Sequence, residues 1–211
     1  MDTGQVIIYI VTGILVIWYI GGMIINRNRG LQVYRWLRSG LRQIGEQVDS
    51  QFIGSSSSAG RMVIQKAKMP LRQVEVFYLL ETRELLPLWL VNWLMGKRDE
   101  FIFKATLSTA PANDLEVGLK GNREYRKATN GAEPAFQEAP EAPPGYQMAY
   151  RPHPDARLAE RLPEFLERYP LAVQHLSLQA KEPHLIVRVH LENVLRVPSE
   201  AFFKDLSGLF R

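Results

Sequence analysis

Residues Val6–Ile25 form an apolar run of twenty residues without one charged side chain. As an α-helix rising about 1.5 Å per residue, this run would be about 30 Å long, which matches the hydrocarbon core of a bilayer. A cleaved signal peptide would need a basic segment before the run and small residues at a cleavage site after it, and neither is present. The run therefore predicts a signal-anchor transmembrane helix over 6–25, preceded by a short tail at 1–5.

The charges that follow the run predict its orientation. Between the run and Glu46 there is no acidic residue, whereas there are five basic residues: Arg27, Arg29, Arg35, Arg38 and Arg42. Because basic flanks are retained in the cytoplasm, we expect the tail 1–5 outside and the remainder of the chain inside. The same arginines are predicted to contact anionic lipid headgroups, at about 1 kcal/mol each. Basic charge also attracts nucleic acid, but charge that adjoins a membrane span favours the bilayer, so no nucleic acid partner is expected.

Residues 26–53 are predicted to be a basic amphipathic juxtamembrane helix that starts after a polar break at 26–30. From residue 31 the apolar positions recur with helical spacing: Val33, Tyr34, Leu37, Leu41, Ile44, Val48 and Phe52. Three arrangements are open, namely a helix in the headgroup plane, a stalk paired with a second copy, and a helix packed on the downstream domain. Trp36 and the arginine-rich polar face favour the headgroup plane.

In outline, a membrane span followed by an amphipathic helix is similar to the small translocase subunits of the twin-arginine pathway. The resemblance covers about 50 residues of the chain and carries no specific motif. The folded domain predicted downstream departs from that pattern. No function is therefore carried over from the resemblance.

A Gly/Ser-rich linker at 54–60 is predicted to tether a cytoplasmic domain at 61–211. Strands are predicted at 61–68, 72–81, 101–108, 114–119, 173–180 and 184–191, helices at 85–95, 155–169 and 199–210, and a flexible Pro-rich loop at about 129–146. This order favours an α+β fold with helices packed on a mainly antiparallel sheet.

The segment 85–95 is apolar on all sides apart from Asn92, and it is too short to cross a bilayer. It is predicted to be either the buried central helix of the domain or a membrane-interface element that carries Trp89 and Trp93. Buried helices of this composition are common in α+β domains, so the first interpretation is favoured.

One face of the second predicted hairpin carries the candidate chemistry of the chain. Strand alternation places His175, His184, Arg188 and His190 on this face, with His175 opposite Arg188. A metal or acid–base site at His175 and His190 is one hypothesis, and a polar face for a partner or for solvent is the other. Because Arg188 would repel a cation, we predict no metal site, and no sequence feature calls for a cofactor.

The remaining sequence excludes several classes of catalyst. The chain has no cysteine, which removes thiol nucleophiles, thiolate metal sites and disulfides. It also lacks phosphate-loop, nucleophile-elbow and zinc-protease motifs, so no catalytic residue is assigned. We expect a membrane-tethered, non-enzymatic interaction module with a protein partner, such as an adaptor, assembly factor or complex subunit. The alternatives are a membrane-associated enzyme that uses the histidine-bearing face, and a scaffold that self-assembles through 31–53.

Overall fold

A computed structural model describes residues 2–53, 58–139, 142–153 and 155–211. The described strands are β1 Asp49–Ile53, β2 Ala59–Ile64, β3 Leu71–Leu79, β4 Glu100–Leu107, β5 Asp114–Leu119, β6 Gln137–Glu138, β7 Tyr146–Arg151, β8 Val173–Leu178 and β9 Leu185–His190. The described helices are α1 Thr3–Ile44, α2 Leu86–Leu94, α3 Arg123–Thr129, α4 Ala156–Arg168, α5 Leu191–Val194 and α6 Ser199–Gly208.

The described strands form one sheet in the order β1-β2-β3-β4-β9-β8-β5-β7-β6. Every neighbouring pair is antiparallel. The predicted α+β class and mainly antiparallel sheet are therefore confirmed. Strand β5 has the predicted bounds, and β8 and β9 form the predicted hairpin.

One face of the sheet packs against α1, α4 and α6 and forms the core. Alternate residues of the central strands, such as Val76 and Phe103, are fully buried on this face. The second half of α1 lies on α6, and Gly40 permits the approach because a Cβ there would collide with the Phe203 ring. Helix α3 lies on the opposite face, where Tyr125 covers Gly118 of β5.

Helix α1 is continuous from Thr3 to Ile44, so the predicted break at 26–30 is wrong. Asn26 and Gly30 are buried against the domain, whereas Arg27 and Asn28 are exposed on the other side of the helix. The juxtamembrane helix predicted to reach residue 53 ends at Ile44, and 49–53 is strand β1. Helical periodicity in 48–52 was thus overridden by pairing of β1 with β2.

The apolar face of 31–44 packs on the domain, which was the third arrangement considered. Val33, Leu37 and Leu41 are fully buried and belong to the hydrophobic core. The arrangement in the headgroup plane is therefore wrong, because the face that it would have offered to lipid is already covered.

The position expected of the tether is also wrong. Residues 54–57 lie outside the described part of the chain, but Ile53 and Ala59 on either side pair with each other. The folded domain therefore begins before the predicted linker, and Ala59 and Gly60 from its end belong to β2. Gly60 belongs to β2, where a side chain would meet the Tyr78 ring.

Several short elements were not predicted: α3, α5, β6 and β7. The proposed loop at 129–146 contains β6 and the first residue of β7, and its residues 140 and 141 lie outside the described part. Asp155 caps α4 as expected, because its side chain accepts hydrogen bonds from Arg157 N and Leu158 N. Pro163 lies inside that helix without ending it.

Candidate functional site

A buried ionic cluster joins α1 to the sheet where the apolar run ends, and we call it the Asp99 cluster. Asp99 is fully buried and accepts two hydrogen bonds from the Arg83 guanidinium, at 2.9 and 3.0 Å, and one from Glu81 N at 2.8 Å. Arg83 also donates to Asn26 Oδ1 at 3.0 Å, and Asn26 Nδ2 donates to the Glu81 carbonyl at 2.8 Å. Arg29 adds a longer contact of 3.4 Å to Asp99. The cluster is satisfied on every side, as buried charges must be.

The charges of this cluster support one another electrostatically. Burial opposes the charge on Arg83, but the hydrogen bonds and attraction of Asp99 outweigh it, so the pKa of Arg83 is raised. Burial is the larger influence on Glu81, whose pKa is raised, while Arg83 acts in the opposite direction. The Arg83–Asp99 ion pair, at 2.9 Å, is therefore the centre of the junction.

Two residues of the apolar run itself also contact the domain. Trp18 Nε1 donates to the Arg83 carbonyl at 2.9 Å. Gly22 is buried against the backbone of Arg83 and Glu84, where any Cβ would collide. The segment that precedes α2 is therefore fixed directly on the helix that is long and apolar enough to cross a membrane.

Helix α2 is not a core helix, so the favoured interpretation of 85–95 is wrong. None of the residues of α2 is buried. Its Trp89 ring lies 5.4 Å from the Trp18 ring of α1, which places this edge of α2 against the apolar run. An apolar segment needs a second layer to become core, and here no element of the described chain covers its outer side.

A polar cleft of about 490 Å³ lies between α2 and the end of strands β4, β8 and β9. It is lined by residues that include Glu100, Gln174, Arg188, His190, Lys97 and Arg98. Gln174 Nε2 donates to His190 Nδ1 at 2.8 Å and lies 3.4 Å from Glu100 Oε2. A bulge between Val173 and His175 turns Gln174 towards this cleft.

Two titratable groups of the cleft, Glu100 and His190, are shifted towards their neutral forms. Burial raises the pKa of Glu100, against the opposing influence of Arg188 and Gln174. Burial likewise lowers the pKa of His190, and the charge of Arg98 adds to this, whereas Glu192 opposes it. A carboxyl and an imidazole with such shifts can exchange protons with a ligand, which is the acid–base chemistry that this cleft could support.

The prediction that His175 lies opposite Arg188 is confirmed by the strand register. The His175 ring, however, turns to Glu116 on β5, with Nε2 at 2.8 Å from Oε2. Ser177 Oγ donates to the other oxygen of Glu116 at 2.6 Å. All three side chains are buried, and since the serine proton is held by the carboxylate, the trio lacks the serine–histidine contact of a nucleophilic site.

His184 does not share the open face that was predicted for it. The residue is buried just before β9, and its Nδ1 accepts a hydrogen bond from Leu107 N at 3.0 Å. The predicted four-residue face is therefore divided: Arg188 and His190 line the cleft, His175 joins Glu116, and His184 caps the end of β4.

The arginines predicted to contact lipid lie along α1. Arg27, Arg35, Arg38 and Arg42 are exposed, while Arg29 faces Asp99. In a continuous helix Arg42 is about 26 Å beyond Ile25, whereas Arg27 is about 3 Å beyond it. Headgroup contact stays a prediction, and the geometry favours it most for Arg27.

Sequence reasoning missed the Asp99 cluster because its two α1 residues, Asn26 and Arg29, lie more than 50 positions before its other members. The one signal was Asn26, a polar residue with helical spacing from Gly22. Within the described residues, no group of three histidine or acidic side chains is placed to hold a metal ion. Comparison with protein-family models gave no match, and comparison with curated proteins gave none either.

Proposed function

We propose that this protein is a membrane-tethered, non-enzymatic interaction module that presents its α+β domain at the cytoplasmic face. The observation that carries the proposal is the Asp99 cluster. It joins the apolar helix to the domain through hydrogen bonds and an ion pair among three residues, Asn26, Arg83 and Asp99. A joint of this kind fixes the orientation of a domain relative to a bilayer, which suits a subunit that must meet a partner in one geometry.

The arginines after the apolar run support the proposed orientation. Arg27, Arg35 and Arg38 are exposed on α1 and free to act as the basic flank that is retained in the cytoplasm. The 1–5 tail would then lie on the opposite side of the membrane.

The partner surface that we propose is the outer face of strands β2–β4 and β9, which we call the open face. It displays half-buried Phe77, Ile102 and Ile186 among charged side chains. Lys104 Nζ and the Arg61 guanidinium lie 5.2 and 5.7 Å from the centre of the Phe77 ring. Apolar side chains inside a charged border are the usual composition of a reversible protein interface.

The test is capture of the full-length protein from native membranes in a mild detergent. The full chain is required, because a truncated protein beginning at Gly60 would lose Val33, Leu37 and Leu41 from its core. We expect one partner at stoichiometric yield with the wild-type chain, and its loss when Arg61 and Lys104 are both changed to Glu.

The matched control changes Arg157 and Lys204, which are exposed on the helical side, to Glu. This variant carries the same change of net charge and should retain the partner. Absence of any stoichiometric partner from the wild-type capture would contradict the interaction module. Equal loss with both variants would contradict the open face as its binding surface.

A membrane-associated enzyme is the second candidate, and the cleft favours it. Burial raises the pKa of Glu100 and lowers the pKa of His190, which favours the neutral form of each group, in a cavity that adjoins α2. The double variant Glu100→Gln and His190→Gln separates the candidates. It should leave partner capture intact if the protein is an interaction module, whereas an enzyme would lose turnover.

The third candidate, a scaffold assembled through 31–53, loses its support. The apolar side chains that would have paired with a second copy are buried against this chain's own sheet and α6.

A further inference from the structure

The exposed apolar side chains of the folded domain are concentrated at one end of the sheet. Within β1–β4 the residues Ile53, Ala59, Leu79 and Glu100 form one row of consecutive partners. Phe52, Ile53 and Leu79 are exposed in or beside this row, and α2 follows β3 just beyond it. The opposite end of these strands differs, because Met69 is the single large apolar residue exposed there among the described residues.

This end is also the end from which the apolar run of α1 leaves the domain. Gly22 and Trp18 touch Arg83 and Trp89, whereas Gly45, after the last turn of α1, touches Ile64 at the far end of the sheet. Trp18 precedes Ile25 by seven residues, which is about 10 Å along a helix. Helix α2 therefore lies beside the apolar run, at the depth that interfacial helices reach below the headgroups.

The residues that follow α2 have the charge that such a position requires. Lys97 is exposed and Arg98 is half-buried directly after the apolar segment. Arg27 is exposed one turn or less beyond the end of the apolar run. Basic side chains at this level complement anionic headgroups, while the apolar side chains of α2 match the acyl region.

We propose that α2 is a second membrane-inserted element. It lies in the headgroup interface of the leaflet nearest the domain, where α1 emerges from the membrane. The occupant of its uncovered face is the lipid bilayer. Continuity with the apolar run of α1 carries this assignment, since a helix in contact with Trp18 cannot stand in water while Trp18 stands in lipid. The inference rests on the proposed anchoring by α1, and it adds that the domain is held to the membrane at two points.

Because the chain has no cysteine, single cysteines can be placed at will. Three full-length variants are labelled with an environment-sensitive fluorophore in vesicles of phosphatidylcholine and phosphatidylglycerol: Leu94→Cys in α2, Met69→Cys at the far end and Ile17→Cys in the apolar run. Met69 is the matched control for Leu94, because both side chains are 70% exposed in the protein. Ile17, which is 74% exposed, reports on the anchor. Quenching by spin-labelled lipid is compared with quenching by aqueous iodide.

We expect lipid quenching to remove most of the fluorescence at positions 17 and 94 and little at position 69, with the reverse order for iodide. Lipid quenching at position 17 but not at position 94 would overturn the insertion of α2 while leaving α1 as the anchor. Shielding of position 94 from both quenchers would overturn it in favour of a protein partner or a second copy. If iodide quenches position 17 and spin-labelled lipid does not, both the anchor and the insertion of α2 are overturned.

Discussion

The two halves of α1 belong to one continuous helix but differ in burial. In Val6–Ile25, Gly22 is the one buried residue, and the large apolar side chains other than half-buried Trp18 are exposed. In the half from Asn26 to Ile44, the apolar stripe is buried and the arginines face outwards. The second half is therefore an ordinary core helix of the domain, whereas the first half has the composition of a helix whose solvent is lipid.

The difference teaches that the boundary between the halves lies inside one continuous helix and is held to the domain by side-chain contacts. Asn26, the first residue of the second half, is held by Glu81 and Arg83 from the domain. A polar sequence at the end of a long apolar run can thus be a docking point and not a linker. The predictions that follow test this comparison, from the largest expected effect to the smallest.

The largest expected loss of stability comes from removing the Asp99 carboxylate. Asp99→Ala leaves Arg83 as a buried cation without its partner, at a cost of about 3–5 kcal/mol in the free energy of unfolding. Asp99→Asn keeps an acceptor for Glu81 N and should cost less. Denaturant unfolding of the full chain in detergent micelles measures both, and equal stability of wild type and Asp99→Ala would refute the joint.

The same substitution in the two halves of α1 should have unequal effects. Leu37→Ala removes a fully buried side chain from the core and should cost about 2–5 kcal/mol. Leu15→Ala alters an exposed position of the apolar run and should leave domain unfolding almost unchanged. If both variants unfold like the wild type, the second half of α1 is not part of the core.

Adjacent glycines of α1 offer a third comparison. Gly22→Ala places a Cβ against the Arg83 backbone and should cost about 1–3 kcal/mol through overpacking. Gly21→Ala meets no atom within 4 Å and serves as the control. Thermal unfolding in the same micelles distinguishes them, and a smaller loss at Gly22 than at Gly21 would contradict the close approach of 83–84.

The smallest effect concerns pH. Because the pKa of His190 is lowered from 6.5 in the folded protein, protonation favours the unfolded chain. Its contribution to stability is complete above pH 6.5 and is lost as the pH falls through the lower, folded pKa. Glu100 acts in the opposite sense, since its raised pKa makes the folded protein gain as the pH falls towards 4.5.

The variant His190→Gln should therefore lose less stability than the wild type between about pH 7 and pH 5. Glu100→Gln should show the reverse, a steeper loss over the acidic part of the same range. Chemical unfolding at a series of pH values measures the slopes, and parallel curves for the three proteins would show that these groups are not buried as described.

Local patterns predicted most of the central elements. β5, the hairpin β8–β9 and the Asp155 cap of α4 follow from alternation and capping, which depend on neighbours in the sequence. The failures share a different cause. β1 was taken for helix because its partner β2 decides its state, and 54–60 was taken for a tether because composition does not show which strands it joins.

The candidate site shows the same division. Alternation brought Arg188 and His190 to one face, but the bulge that turns Gln174 to His190 and the carboxylate that holds His175 come from other parts of the chain. His184 was assigned to that face on parity alone, and its burial follows from contact with Leu107.

By itself the sequence determined the twenty-residue apolar run, the basic flank, the absence of thiol chemistry and the α+β class, since each depends on composition or on short-range period. The tertiary structure decided that α1 has no break, that α2 lies outside the core, and that the Asp99 cluster joins α1 to the sheet. Those outcomes depend on contacts between residues far apart in the chain, and burial is decided by what packs on a side chain and not by its own hydrophobicity.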